Sequence, residues 1–402
     1  MAGEEEAKRY PFSAPHRLDM DPAYAEIRAN EGLIRVQPPF GRAAWLATRY
    51  EDVKTVLGDP RFSRARALEN GDEPSLIPMG PGPNTIVTTD PPHHSRLRRV
   101  VAKAFTQRRI EQLRPRVQEI VDGLIDDMEE KGPPSDLVHD FARPQPGKVV
   151  FELMGVPYSD REQVQEWTEI ALSTPFSGYT PEEKKAAFGK MRAYMPGVIA
   201  AKAENPGEDL LTVLVTARDD EDRLTEEETV DLAVAVLVTG NETTADQILN
   251  LAWLLLSHPE HLAMLRAAPE KIPQAIDEML RYVPLATGAM FPRVATEDVR
   301  LGDVLVREGE AVLPSMASAN RDEAAFPNAG ELDFDRESNQ HLALGHGVHR
   351  CLGAQLARME LQVAFESLLD RFPDLRLVKP AEEVPWRKGT LHRAPQELLV
   401  TW

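Results

Sequence analysis

The sequence predicts a mainly α-helical protein with a small β portion. Apolar residues recur every three or four positions over most of the 402 residues, which is the spacing of helices that bury one face. Strand patterns, by contrast, are confined to three short segments. The hydrophobic fraction of 42% and the charged fraction of 28% are ordinary for a globular protein. We therefore expect a folded, helix-rich chain with a sizeable core.

The longest predicted helix covers residues 225–257 and would extend about 45 Å at 1.5 Å per residue. It should cross the whole molecule. The predicted helices are 94–104, 107–131, 159–172, 181–204, 225–257, 259–267, 271–282 and 352–371.

Strands are predicted at 43–48, in the hairpin-like run 297–316 and at the C-terminal 398–402. Residues 72–92 are rich in proline and glycine, and a breaker-rich loop of this length inside a compact chain is usually functional. We interpret it as a candidate lid.

Charge and cysteine content exclude several classes of protein. The formal net charge of −19 opposes binding to nucleic acid or to an anionic membrane surface. The single cysteine, Cys351, excludes an intramolecular disulfide framework and a cysteine-rich zinc site. The acidic start, MAGEEEAKRYPF, lacks the apolar core of a secretory signal, and the most apolar stretch, 232–257, contains charged residues. We expect a cytoplasmic protein that binds neither nucleic acid nor membrane.

The middle of the longest predicted helix is polar. Residues 239–244 read TGNETT within apolar flanks, and polar groups buried there need partners. One interpretation is a polar network that holds helices together. The other is a kinked groove in which a small polar ligand meets Glu242 and Thr243.

The neighbourhood of Cys351 allows three interpretations from the residues alone. A lone cysteine is most often a small buried residue. It could also be a nucleophile activated by His346 or His349. A third interpretation places a metal among His341, His346, His349 and Cys351. The spacing does not separate these.

The cysteine segment as a whole resembles the heme-binding loop of the cytochrome P450 family. Five residue types match in nine positions, in the order Gly345-x-Gly347-x-His349-x-Cys351-x-Gly353. The resemblance extends from about Tyr10 to Trp402 and is greatest to soluble actinobacterial P450s that tailor macrolides and related natural products. It implies the P450 fold as a single domain over residues 1–402, with heme b bound and Cys351 as the axial ligand of its iron.

Further segments resemble the family in the same order along the chain. The segment around His94 and Arg98 is similar to one that contacts a heme propionate, and Arg293 and His349 occupy positions of further propionate ligands. Glu278 and Arg281 resemble the Glu-x-x-Arg motif, with Arg336 as the third member of its ion network. Because Glu-x-x-Arg occurs at least four times here, only order and context select this copy.

The same resemblance implies a monooxygenase that activates dioxygen to hydroxylate or epoxidise a small-molecule substrate. Glu242 and Thr243 match the acid and alcohol that deliver protons. We expect a bulky, largely apolar substrate that resembles a macrolide or another polyketide and belongs to secondary metabolism, such as antibiotic biosynthesis. One alternative is a heme protein that only binds or senses a ligand. The other is a P450 with a carrier-bound or smaller substrate. The expected pocket residues are Leu76, Ile77, Met79, Ile86, Ile170, Leu172, Phe176, Val236, Thr239, Leu285, Ala286, Met290 and Phe291.

Electrons are expected from a ferredoxin and a ferredoxin reductase, and we expect a monomer. Residues 95–116 hold eight basic residues against one acid, which reverses the overall charge. One interpretation is a solvated helix face, and the other is a docking patch for an acidic ferredoxin. The expected docking residues are Arg96, Arg99, Lys103, Arg108 and Arg109.

Two positions depart from the family pattern. Leu344 stands where the family usually has Phe, so the packing around the sulfur, and with it the redox potential, is expected to differ. Thr239 replaces the usual Ala and adds a hydroxyl beside the oxygen-activation motif.

Overall fold

The computed structural model describes residues 7–69, 71–76, 85–172, 179–217 and 224–402, and it is mainly α-helical as the sequence predicts. All eight predicted helices are present, the longest as two segments. The helices are α1 (Pro22–Ala29), α2 (Tyr50–Gly58), α3 (His93–Ala102), α4 (Gln107–Lys131), α5 (Pro144–Met154), α6 (Arg161–Leu172), α7 (Pro181–Glu204), α8 (Leu210–Thr216), α9 (Glu226–Thr239), α10 (Glu242–Leu256), α11 (Pro259–Ala267), α12 (Ile272–Tyr282), α13 (Met316–Ala319) and α14 (Ala354–Arg371).

Three small sheets make up the β portion. The strands are β1 (Lys8–Arg9), β2 (Leu33–Gln37), β3 (Ala44–Ala47), β4 (Phe62–Ser63), β5 (Ser135–Asp136), β6 (Arg293–Ala295), β7 (Val299–Leu301), β8 (Val304–Val306), β9 (Ala311–Pro314), β10 (Arg376–Leu377) and β11 (Leu399–Thr401). Their orders are β1-β2-β3-β9-β6-β4, β10-β11-β5 and β7-β8. The predicted strands are confirmed, but strand structure is not confined to them, since β2 and β4 lie elsewhere.

The chain divides into two compact units, and the prediction of one domain over 1–402 stays a prediction. The first unit comprises residues 1–91, 274–352 and 391–393, and the second comprises 92–273, 353–390 and 394–402. The six-stranded sheet and the cysteine loop belong to the first unit. Helices α3 to α11 and α14 belong to the second.

The predicted long helix is interrupted at its polar centre. Helix α9 ends at Thr239 and α10 begins at Glu242, with Gly240 and Asn241 between them. Gly240 lies against α5, where an added Cβ would be 2.8 Å from a methyl carbon of Val150. The kink anticipated from the TGNETT segment is therefore present.

Capping sets where α9 begins. Thr225 accepts a hydrogen bond from the Glu228 amide at 3.1 Å, and the Glu228 carboxylate accepts one from the Thr225 amide at 2.9 Å. This capping box satisfies amides that the first turn leaves without helical partners. No described helix is long and apolar enough to span a membrane.

Candidate functional site

The Cys351 segment forms a tight loop within the first unit. The Cys351 amide donates to the carbonyl oxygen of Leu344 at 2.8 Å, and the Arg350 amide donates to that of Gly347 at 3.1 Å. A 3-10 turn spans Gly347–His349. Cys351, the single cysteine of the chain, is exposed. These hydrogen bonds thus fix the backbone on the N-terminal side of Cys351.

Two glycines of the loop are required by its geometry. Gly345 and Gly347 have φ values of +74° and +69°, a region that residues with a side chain rarely adopt. An added Cβ on Gly347 would collide with the end of α2 at the Leu57 carbonyl oxygen and would lie 2.8 Å from the Gly58 Cα. The motif glycines therefore let the loop pack directly on α2.

The histidines near the thiol are held apart from one another. His341 is buried, with Nε2 at 3.3 Å from an Asp277 carboxylate oxygen. The His346 ring packs on α2, where an added Cβ at Gly58 would be 3.1 Å from its Cδ2. Within the described residues, these two do not join His349 and Cys351 in a group able to hold a metal ion. The hypothesis of a metal among these four side chains is therefore not supported.

The predicted ion network is assembled in the first unit. Glu278 accepts hydrogen bonds from Arg281 at 2.7 and 2.8 Å and from Arg336 Nε at 3.1 Å. Arg281 also donates to three backbone carbonyl oxygens, those of Asn320, Ala329 and Glu331. Burial alone would raise the pKa of Glu278, but the hydrogen bonds and charge of Arg281 lower it below its ordinary value. The triad ties α12 to the segments that precede the cysteine loop.

Arg293 is a buried cation at the start of β6. Its guanidinium donates to the carbonyl oxygens of Phe291 at 2.8 Å and Pro292 at 3.3 Å, and it has no ion pair within the described part of the chain. Burial, and then the neighbouring Arg64, lower the pKa of Arg293 to about 10. Arg64 in turn is paired with Glu73 at 2.5 Å. A buried arginine bonded only to carbonyl oxygens is suited to receive a ligand carboxylate.

In the second unit, α3 carries two more of the predicted propionate ligands. His94 is buried and Arg98 half-buried, one helical turn apart on the same face. This is the face that the i, i+4 spacing predicts.

The predicted acid and alcohol lie in the first turn of α10. Glu242 and Thr243 are both half-buried. The Thr243 hydroxyl donates to the Thr239 carbonyl oxygen at 3.0 Å, and the Thr239 hydroxyl donates to that of Ala235 at 2.8 Å. The departure from the family pattern at 239 therefore places a second hydroxyl on the helix, bonded to its own backbone.

Sequence reasoning missed Arg387. This residue lies in the C-terminal segment of the second unit, with Nη1 at 3.7 Å from a Glu242 carboxylate oxygen and Nη2 bonded to Asp246. Glu242 and Asp246, at positions i and i+4 on one helix face, are compatible with a nearby cation. Nothing in the sequence near 387 indicates which residue supplies it.

The expected pocket residues that the structure describes are not core residues, although most are apolar. In the first unit Leu76, Ile86, Leu285, Ala286 and Met290 are half-buried and Phe291 is exposed; in the second, Ile170 and Val236 are half-buried and Thr239 is exposed. Ile77, Met79, Phe176 and the side chain of Leu172 lie outside the described residues.

The expected docking residues differ in their surroundings. Arg99, Lys103 and Arg108 are exposed, whereas Arg109 donates to the Glu208 carbonyl oxygen at 3.2 Å. Arg96 forms an ion pair with Glu228 at the start of α9. Burial would raise the pKa of Glu228, but hydrogen bonds from Arg96, the Thr225 amide and His93 lower it to about 2. Arg96 therefore links α3 to α9.

The helix-rich fold with its small sheets is that of a known family of enzymes, and comparison with known proteins identifies the family. The cytochrome P450 family model matches residues 39–398. The chain belongs to the cytochrome P450 family, and it is a P450 monooxygenase.

Two curated relatives are similar over nearly their entire lengths. Nocardicin C N-oxygenase from Nocardia uniformis subsp. tsuyamanensis is 49% identical over 99% of both chains. Mycinamicin IV hydroxylase/epoxidase from Micromonospora griseorubida is 48% identical, again over 99% of both. Among solved structures, the mixed-function P450 MycG matches with a TM-score of 0.94 at 48% identity, covering 99% of this chain and 100% of that one.

Family membership implies a heme, and the donor groups of this chain fit one. An exposed cysteine on a glycine-bounded loop matches the cysteine ligand of P450 iron. The buried Arg293 guanidinium, which lacks a protein carboxylate partner among the described residues, matches the charge of a propionate.

Proposed function

We propose that the chain binds heme b through Cys351 and oxidises a bulky, largely apolar natural product by hydroxylation or epoxidation in secondary metabolism. The observation that carries the proposal is the cysteine loop, in which two glycines at positive φ precede an exposed cysteine. When bound, a thiolate-ligated heme supplies reductive activation of dioxygen.

The residues of the chain have three tasks under this proposal. Arg293, His94, Arg98 and His349 bind the propionates. Glu242 and Thr243 would hold and pass on the protons that oxygen activation consumes, at the carboxyl group and at the hydroxyl Oγ1. Because that hydroxyl donates to the Thr239 carbonyl oxygen, its other hydrogen-bonding capacity, as an acceptor, remains available to a proton donor.

The reducing equivalents come from a ferredoxin and its reductase in this proposal, with the protein acting as a cytoplasmic monomer. Exposed Arg99, Lys103 and Arg108 support an acidic partner. Support for a macrolide-like molecule comes from the similarity to the mycinamicin hydroxylase/epoxidase and from the apolar side chains that are not buried in the core.

A second candidate function is oxidation at nitrogen in a smaller substrate. It is favoured by the 49% identity to a protein named nocardicin C N-oxygenase. A binding screen should therefore include mycinamicins, other macrolides and nocardicin C, read by the substrate-induced spin-state change, and should be followed by product analysis.

The reduced, carbon monoxide-bound spectrum tests the heme assignment. We expect wild-type protein to show the strongly red-shifted Soret band of a thiolate-ligated heme and Cys351→Ala to lack it. Met264→Ala, at an exposed position on α11, is the control and should keep the band. Purified protein without heme, or a red-shifted band retained in Cys351→Ala, would refute the proposal. Ligand binding without product, when reductant and oxygen are supplied, would favour a sensor.

A further inference from the structure

A stripe on one face of α10 is contacted by the C-terminal segment of the second unit. Glu242, Asp246 and Trp253 lie at positions i, i+4 and i+11, which share one side of a helix. Trp386 packs edge-on against Trp253, with ring centroids 5.2 Å apart. The next residue, Arg387, meets the two acids.

The position of Arg387 is fixed by its backbone as well as its neighbours. Its amide donates to the Ala394 carbonyl oxygen at 3.0 Å, and the Gln396 amide donates to that of Pro385 at 2.7 Å. Trp253 Nε1 donates to the Ala381 carbonyl oxygen at 3.2 Å. These hydrogen bonds fix the backbone of the segment from which the Arg387 side chain extends.

The two acids contact Arg387 unequally. The Asp246 side chain is only 3% exposed and is hydrogen-bonded to Nη2 of Arg387. The Glu242 side chain is 30% exposed, and its carboxylate oxygen is 3.7 Å from Nη1, beyond hydrogen-bond distance. Asp246 thus anchors the cation, and the Glu242 carboxylate lies beside its positive charge.

We propose that Arg387 is a positioning residue for Glu242: anchored on Asp246, it keeps a fixed positive charge beside the Glu242 carboxylate, favouring the ionised form without binding it tightly. This inference rests on the proposed role of Glu242 in proton movement. A fixed cation close to an acid that releases and regains a proton shifts the equilibrium between the protonated and ionised forms of that acid.

Within the second unit, several ionisable groups on the elements that pack against α10 are engaged elsewhere or exposed. Asp140, in the turn before α5, is bonded to Lys131, and Asp231 on α9 to Arg192. Lys148 on α5 is exposed, as is Glu260 on α11. Glu360 on α14 is buried, and burial raises its pKa well above the ordinary value, which favours its uncharged form.

The decisive measurement is the ionisation of Glu242 itself, by infrared titration of the protonated-carboxyl band. Each protein is compared with the same protein carrying Glu242→Gln, so that the difference reports on Glu242 alone. This readout does not depend on turnover. The proteins are wild type, Arg387→Met, Arg387→Lys and Asp246→Asn.

Substitutions at Arg387 and at Asp246 are expected to shift the titration midpoint of Glu242 in opposite directions. Arg387→Met should raise the titration midpoint of Glu242 by about one pH unit, because a cation near 4 Å is lost. Arg387→Lys should restore most of the wild-type value. Asp246→Asn should lower the midpoint, since it removes a neighbouring anion and frees the guanidinium to pair with Glu242.

Two controls separate this effect from general destabilisation. Lys202→Met removes a partly buried ion pair with Asp209 elsewhere in the second unit and should leave the midpoint unchanged. His392→Gln removes the titration of a histidine five residues beyond Arg387 in the sequence and should preserve the Arg387→Met shift.

An unchanged midpoint in Arg387→Met would overturn the inference. If Arg387→Met does not fold, Asp246→Asn tests the inference, because this variant keeps the cation. An unchanged or raised titration midpoint of Glu242 in Asp246→Asn would also overturn the inference. Should the midpoint move as expected while the pH profile of substrate oxidation in heme-loaded protein stays fixed, Arg387 positions Glu242 but the proposed proton role of Glu242 fails.

Discussion

Buried charges in this chain differ in what neutralises them. Glu278 is buried and meets two arginines and the Asp333 amide. Arg293 is equally buried but meets only carbonyl oxygens among the described residues. A buried charge without a counter-ion is costly. The first arrangement is thus complete within the protein, and the second is suited to an anionic ligand.

Glu278→Gln should destabilise the protein by about 3 kcal/mol at pH 7, because two buried arginines would lose their counter-charge. Since the pKa of Glu278 is lowered in the folded protein, the stabilisation is complete above its unperturbed value of 4.5 and is lost as the pH falls through the folded value. The cost of the substitution should therefore shrink in acid. Denaturant unfolding measures both.

The matched control is Glu111→Gln, which alters another Glu-x-x-Arg pair. Glu111 and Arg114 are 3.1 Å apart with side chains 54% and 35% exposed, so we expect a change below about 1 kcal/mol. Equal decreases in the free energy of unfolding for Glu278→Gln and Glu111→Gln would show that burial does not distinguish the two copies of the motif.

At the scale of elements, the join between α9 and α10 depends on a glycine. Alanine normally stabilises a helix relative to glycine. At Gly240, however, a Cβ would lie 2.8 Å from a Val150 methyl carbon and 3.0 Å from the Val236 carbonyl oxygen. Close packing of α9 on α5 therefore decides the residue at this position.

Gly240→Ala should destabilise the protein by about 1–3 kcal/mol through overpacking. Gly123→Ala in α4, where an added Cβ meets nothing within 4 Å, should instead be neutral or stabilising by up to about 1 kcal/mol. Thermal unfolding of the two variants provides the comparison, and a stabilised Gly240→Ala would contradict the packing argument.

How well the sequence predicts an element depends on the length of its pattern. Helices such as α4 and α7 repeat their apolar spacing over six or more turns and are predicted with nearly correct ends. Short elements such as α8, with seven residues, and β4, with two, present too little periodicity and were not predicted. Their conformation comes from tertiary contacts, which a local pattern does not contain.

The same limit applies to the site. Cys351 and Glu278 lie in motifs whose residues are near one another in sequence, so their roles are predictable from spacing and resemblance. Arg387 is 141 residues from Asp246, its ion-pair partner. A contact of this kind depends on how the C-terminal segment returns to α10 and has no signature in either segment alone.

At the scale of the whole molecule, charge is distributed unevenly. The chain carries a net charge of −19, yet residues 95–116 hold eight basic residues and one acid. Some of these arginines already pair with protein acids, including Arg114 and Arg116. The exposed members Arg99, Lys103 and Arg108 are accessible to an acidic partner, which their charge would attract at long range.

Charge reversal at Arg99 or Lys103 should slow reduction by a ferredoxin several-fold at low salt, and the difference should diminish as salt is raised. Arg376→Glu, an equal charge change on exposed β10, is the control. Stopped-flow reduction with several ferredoxins provides the rates. Equal rates for all three variants would remove the docking hypothesis.

The hydrogen bonds of the cysteine loop bear on how the protein acquires its prosthetic group. The donors and acceptors that shape the loop, from Leu342 to Cys351, belong to the first unit, as does Asn320, whose Oδ1 accepts from the Leu342 amide at 2.7 Å. Folding of that unit therefore already includes the entropic cost of ordering the loop. The thiol is therefore preorganised in the folded unit. We expect heme to insert faster than it would if the cysteine loop had to fold during insertion.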